Sequence, residues 1–231
     1  MIRAALAVAR KDFSIVFSGG FAWLHTLLLG CMVIFIFSLA LGGPLAFGDN
    51  GKNTHETVAA IFWLASLICQ SMTFNSVYAL EETHGQRAAL VLARVPIQAV
   101  WLGKALAGFV LVFFSQFFLV AAVLLFLGGT VTGPWLEAVG MILLVDIGMS
   151  CLGSLLGAIS RGASGWESLF GLALFPLSTP LLLCGIRLGV AALAGYSEPN
   201  AGQWFMLATG FTLIFAAAGL FLFPLIYRAD G

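Results

Sequence analysis

Six long runs of apolar residues, approximately Phe21 to Leu41, Val58 to Leu80, Gly103 to Leu127, Trp135 to Ile159, Glu167 to Leu188 and Gln203 to Tyr227, constrain this chain more than any other feature. A hydrocarbon layer about 30 Å thick is crossed by about 20 helical residues, and every run is long enough. Charged residues make up 9% of the chain, against roughly a quarter of a soluble domain, and 61% is hydrophobic, which excludes a soluble globule. In lipid an unpaired peptide group is costly, so only helices or a closed barrel can cross. Stretches such as Leu27-Leu28-Leu29 and Phe113-Phe114 lack the alternation of a barrel strand. The expected fold is therefore all-α: one polytopic membrane domain over residues 1–231, with six transmembrane helices.

A tryptophan stands near the start of each run, namely Trp23, Trp63, Trp101, Trp135, Trp166 and Trp204, as expected of indoles that prefer the headgroup region. Trp63 is set deeper than the rest. Basic residues orient the spans. Arg3, Arg10 and Lys11 in the N-terminal arm, Arg87, Arg94 and Lys104 in the second loop, Arg161 in the fourth and Arg228 at the C-terminus share one side; Lys52 and Arg187 fall on the other. The positive-inside rule then places both termini in the cytoplasm. Ten basic and ten acidic residues give zero formal net charge, so no nucleic-acid partner is indicated.

Before the first span, Ile2, Leu6, Ala9, Phe13 and Val16 recur at steps of three or four, which predicts an amphipathic helix lying in the cytoplasmic interface and broken at Ser18-Gly19-Gly20. The run from Phe21 outlasts a signal-peptide core of about 7 to 15 residues, so it is expected to stay as a helix. The fifth region is apolar from Glu167 to Gly195, roughly 43 Å as one helix. Pro176 and Pro180 inside it favour a kink. Beyond it the chain either turns back from Leu181 as short outer half-helices, with Gly185, Gly189 and Gly195, or continues as one steeply tilted helix.

Enzymatic machinery is missing from the sequence. It has no phosphate-binding G-x-x-x-x-G-K-[ST] loop, no G-x-S-x-G elbow and no H-E-x-x-H zinc motif, so any ATP hydrolysis must reside in a partner. Cys31, Cys69, Cys151 and Cys184 form no C-x-x-C pair and read as small apolar residues. His25, His55 and His84 do not provide paired axial ligands on facing spans, so no stably bound haem or metal site is expected. Asp146 is the one acid deep in a span. It must face other helices and there find a partner or stay neutral, as a packing residue or as a proton or substrate contact. Ser150 with Ser154, Gly153 with Gly157, and Gly185 with Gly189 are each four apart, a spacing that lets helices approach closely in a bundle or a dimer seam.

The second loop is the richest polar feature. Glu81-Glu82-Thr83-His84-Gly85-Gln86-Arg87 leads into the helix-forming Ala88 to Arg94, then Pro96, which predicts a short helix parallel to the membrane. Arg87 and Arg94 project on similar sides, as topological anchors or as a docking knob for a cytoplasmic protein.

At this loop the chain resembles a known family. Ile61-Phe62-Trp63-Leu64, Tyr78-Ala79-Leu80-Glu81-Glu82, Gly85, Pro96 and Gly103-Lys104, with Ala9-Arg10-Lys11-Asp12-Phe13 and Leu174-Phe175-Pro176-Leu177-Ser178-Thr179-Pro180, are similar in order and spacing to the heme exporter protein B family, the permease subunit of the cytochrome c maturation transporter. The sequence departs from that pattern at Gln86-Arg87. The resemblance implies an ABC-2 type permease of the bacterial inner membrane with a coupling helix after the second span, giving Glu81, Glu82, Arg87 and Arg94 a role in docking the ATPase. It further implies a separate ATP-binding subunit, other cytochrome c maturation membrane proteins, a periplasmic haem chaperone and a permease dimer, with haem as cargo. Two rival expectations stand beside it: an ABC-2 permease for another amphipathic cargo such as a lipid, glycan precursor or drug, and an ATPase-independent carrier or scaffold.

Overall fold

The computed structural model describes residues 1–18, 21–42, 51–83, 96–128, 130–161 and 167–229. Seven helices account for nearly all of them: α1 (Ile2–Ser18), α2 (Phe21–Ala40), α3 (Gly51–Thr83), α4 (Ile97–Leu127), α5 (Trp135–Arg161), α6 (Glu167–Ala194) and α7 (Ala201–Ala229). Among the described residues there is no strand, and α2 to α7 are each long and apolar enough to cross a membrane, which makes this a polytopic membrane protein.

The helices form an alternating bundle whose centre is α3, α4 and α5. Helix α2 lies against α3 and α4, α6 against α3 and α5, and α7 against α5, α6 and α4. Contacts fix the directions. Trp23 meets Ser115 and Ser38 meets Phe126, so α2 and α4 run in parallel. Tyr78 on α3 meets Ser154 on the parallel helix α5. Trp63 and Ala59 on α3 meet Gly185 and Gly189 on α6, which runs the opposite way.

Local chemistry ends the helices. Helix α4 starts after Pro96, whose missing N–H is no loss there, and stops at Gly128 in the left-handed conformation, φ 73°. Gly195, at φ 76°, ends α6 in the same way, its N–H and that of Tyr196 donating to Ala191 O at 3.1 and 3.2 Å. The turn between α4 and α5 closes this end further: Thr132 and Gly133 N–H donate to Ala192 O at 3.1 and 2.9 Å, satisfying a carbonyl that the helix terminus leaves open.

Two sequence expectations change, and two that were open become definite. Helix α4 begins at Ile97, so Lys104 is not in the second loop but on the helix, fully buried. Trp63 and Trp101 are not interfacial anchors. Each indole is buried against a glycine, Gly185 on α6 and Gly219 on α7, where a Cβ would occupy the space of the ring. On α1 the buried residues are Ala5, Val8, Ala9, Asp12 and Val16, so Ala9 and Val16 of the expected stripe are covered, while Ile2 and Leu6 stay 77% and 52% exposed. The reason is Gly103, against which Ala5 O and Val8 Cβ close to a distance that only small residues permit. Finally, of the two courses open to the fifth region the chain takes the single helix: α6 runs from Glu167 to Ala194 with Pro176 and Pro180 inside it, without half-helices from Leu181. Ser178 and Thr179 hydroxyls both donate to Phe175 O, at 2.9 and 3.0 Å, and so spend their hydrogen bonds within the helix beside the two prolines.

Candidate functional site: a polar seam through the bundle

Ser66, Gln70, Phe74 and Tyr78 stand four residues apart on α3 and therefore share one face, and all are buried. Opposite them α5 presents Asp146, Ser150, Gly153, Ser154 and Gly157, and α4 presents Lys104, Gly108 and Gln116. The small residues of α5 receive large ones of α3: Phe74 fills the space where Gly108 and Gly153 lack side chains, and Tyr78 does the same at Gly157. The four-residue spacings of small residues thus serve packing within this chain.

Midway along the seam, Gln116 Nε2 donates to Ser66 Oγ at 2.6 Å and to Asp146 Oδ1 at 2.8 Å. This joins α3, α4 and α5 through one amide. Asp146 faces the bundle interior, 1% exposed, and the amide offers its carboxyl group a donor where lipid would offer none.

At the end of the bundle that carries α1, a second cluster ties four helices. Tyr78 Oη donates to Ser154 O at 2.6 Å and lies 3.1 Å from Ser154 Oγ, which is itself 3.4 Å from Trp101 O. The Lys104 ammonium sits 4.5 Å from the centre of the Tyr78 ring and 3.5 Å from Asp12 Oδ2, and Lys11 Nζ lies 2.9 Å from Asp12 Oδ1. A buried ammonium needs a counter-charge and soft electron density around it; Asp12 and the tyrosine face supply both. Helix α1 is in this way bound to the bundle by charge as well as by packing.

The residues singled out in the sequence fall in three places. Asp146 lies in the seam. Glu81 and Glu82 lie in the last turn of α3, which continues past the end of the apolar run, while Arg87 and Arg94 lie outside the described residues. Pro176 and Pro180 are on α6, away from the polar seam of α3, α4 and α5. At the far end, the Arg187 guanidinium on α6 is 5.9 Å from the Trp204 ring centre on α7. The four cysteines are free thiols, and no group of three or more His, Cys, Asp or Glu able to hold a metal occurs among the described residues. Gln116, Ser66, Gln70, Tyr78, Lys104 and Asp12 were not anticipated as a site. The available signal was polar residues inside apolar runs at four-residue spacing, which the search for enzyme motifs passed over.

Comparison with known proteins agrees on one lineage. The CcmB protein family matches residues 3–228. Heme exporter protein B of Rhodobacter capsulatus is 31% identical over 159 residues, covering 65% of this chain and 70% of the relative. Heme exporter protein B of Haemophilus influenzae is 26% identical over 200 residues, 86% of each chain, and that of Paracoccus denitrificans is 27% identical over 170 residues, 71% and 75%. With the match running through all seven helices, the chain belongs to the CcmB protein family.

Proposed function

We propose that this chain is the non-catalytic membrane permease subunit of an ABC transporter that exports haem for cytochrome c maturation. The names of its relatives, heme exporter protein B, support the cargo. In this reading the α1 end of the bundle faces the cytoplasm of the bacterial inner membrane, both termini included. A separate ATP-binding subunit docks on residues 81–94, using Glu81, Glu82, Arg87 and Arg94, and other cytochrome c maturation membrane proteins with a periplasmic chaperone receive the haem at the far end. Haem is cargo and not a resident cofactor. ATP hydrolysis by the partner drives either haem transfer or release of the loaded chaperone.

The observation that carries this reading is the continuity of α3. It runs unbroken from Gly51 to Thr83, so displacement of its Glu81–Thr83 turn reaches Tyr78, Phe74 and Gln70 in the seam and Trp63 against α6 beyond it. Replacing Arg87 and Arg94 by Glu reduces co-purification of the ATPase while the bundle keeps its thermal stability; unchanged association rejects the docking assignment. Deleting the gene abolishes mature c-type cytochromes. Their persistence, with a different amphipathic molecule accumulating, replaces haem as the cargo.

A further inference from the structure

Four polar atoms in the middle of the seam have no hydrogen-bond partner among the described residues: Asp146 Oδ2, Gln116 Oε1, Gln70 Nε2 and Ser150 Oγ. Their side chains are between 1% and 2% exposed. A hydrogen bond joins two of these side chains, and helix spacing sets the other two one turn away. Gln116 is bonded to Asp146 and to Ser66. Ser150 is one turn beyond Asp146 on α5, and Gln70 one turn beyond Ser66 on the parallel helix α3, each on the face it shares with its predecessor.

The donors and acceptors balance. Asp146 Oδ2 and Gln116 Oε1 accept, and Gln70 Nε2 and Ser150 Oγ donate. A water molecule offers two donors and two acceptors, the complement of this set, and buried waters typically serve polar groups of this kind. A bare cation is a poor match, because the Gln70 amide N–H points positive charge into the same neighbourhood.

One turn beyond Gln70 stands Phe74, fully buried, its ring seated against Gly108 on α4 and Gly153 on α5. Beyond Phe74 begins the cluster of Tyr78, Ser154, Lys104 and Asp12. On α3 the two polar regions of the seam are thus separated by the Phe74 ring.

We propose that Asp146, Gln116, Gln70 and Ser150 form a hydration site in the middle of the bundle, holding water between the carboxyl, amide and hydroxyl groups, and that Phe74 seals it from the α1 end. Displacing the ring joins the two polar regions into one continuous path from Ser66 to Tyr78 along α3.

Density for the wild-type protein in its native assembly tests the site without any substitution. At a resolution where other buried waters are seen, a peak lies about 2.6–3.2 Å from Asp146 Oδ2 and Gln116 Oε1. Direct contact among the four side chains with no peak between them overturns the site, as does a peak at the shorter distances of a metal ion that depends on a particular salt. The seal is tested by Gln70→Cys in a chain whose four native cysteines are replaced, because Ser150 also borders a cavity with Trp101 and Ala216 that bypasses Phe74. A charged, water-soluble methanethiosulfonate added from the α1 end modifies this thiol at least tenfold faster when Phe74→Ala is present. Where that variant does not fold, Phe74→Leu gives a smaller rise in the same direction. Equal rates with and without the Phe74 substitution overturn the seal.

Discussion

Lys104 Nζ lies 3.5 Å from Asp12 Oδ2, with the lysine fully buried and the aspartate 5% exposed, although the two residues belong to helices separated by a complete membrane crossing and its return. This pair decides how α1 is held. The first helix is not merely laid against the bundle by its apolar residues; it carries the counter-charge of a lysine that packing has removed from solvent.

The pair sets an asymmetry in stability. Asp12→Leu deprives a buried ammonium of its carboxylate and is expected to cost roughly 3–5 kcal/mol. Lys104→Met costs less, because Lys11 Nζ remains 2.9 Å from Asp12. The double variant loses less than the sum of the two. Reversible unfolding in mixed micelles measures all three, and strict additivity would show that the residues act independently.

Gln116→Leu removes the donor shared by Ser66 and Asp146. Leaving those buried acceptors unserved costs about 1–3 kcal/mol. Adding Asp146→Leu recovers part of that loss, since an apolar pair leaves no carboxyl group to satisfy. A Gln116→Leu protein as stable as the wild type would mean the triad contributes nothing to the fold.

Gly185→Ala and Gly219→Ala each place a methyl group where an indole lies, that of Trp63 or of Trp101. Overpacking of this kind costs roughly 1–3 kcal/mol. Combining Gly185→Ala with Trp63→Phe shrinks the penalty, because the smaller ring vacates the space. The thermal midpoints of the single and paired variants give the comparison.

Tyr196, in the connection between α6 and α7, titrates above the ordinary tyrosine value of 10.0. Partial burial disfavours its phenolate, and Glu198, with Oε2 3.4 Å from the hydroxyl, repels it. Phenolate absorbance should therefore rise at a higher pH than in free tyrosine, and Glu198→Gln should lower that midpoint. The sign for stability follows: below pH 10 both folded and unfolded chains keep the proton, while above it the unfolded chain releases its proton first, so stability falls as pH rises. An unshifted midpoint in Glu198→Gln would remove Glu198 as a cause.

The crossings were legible because hydropathy is a local property that lipid enforces residue by residue. What the sequence concealed depends on partners distant along the chain. Lys104 reads as a loop residue because a charge ends an apolar run, yet Asp12 and Tyr78 make its burial tolerable. Trp63 and Trp101 read as interfacial anchors because indoles prefer that depth, whereas the glycines that receive them are on other helices. Asp146 was recognisable as costly in isolation, but nothing near it in sequence pointed to Gln116, thirty residues earlier. In α6, Pro176 and Pro180 left two courses open, a return as half-helices or one continuous helix, and the chain takes the second. Arg87 and Arg94, on which the docking reading rests, lie outside the described residues.

Along α3, successive turns present a hydroxyl, an amide, a phenyl ring and a phenol, the two rings seated against glycines of α4 and α5. A gliding motion of one turn would carry the Gln70 amide into the recess of Phe74 and set the Phe74 ring where the Tyr78 hydroxyl now serves Ser154, so buried polar groups would lose their partners and sliding is costly. In the coupling proposed above, a force arriving at the Thr83 end pivots or rolls this rod together with its neighbours, an angular stroke instead of an axial one.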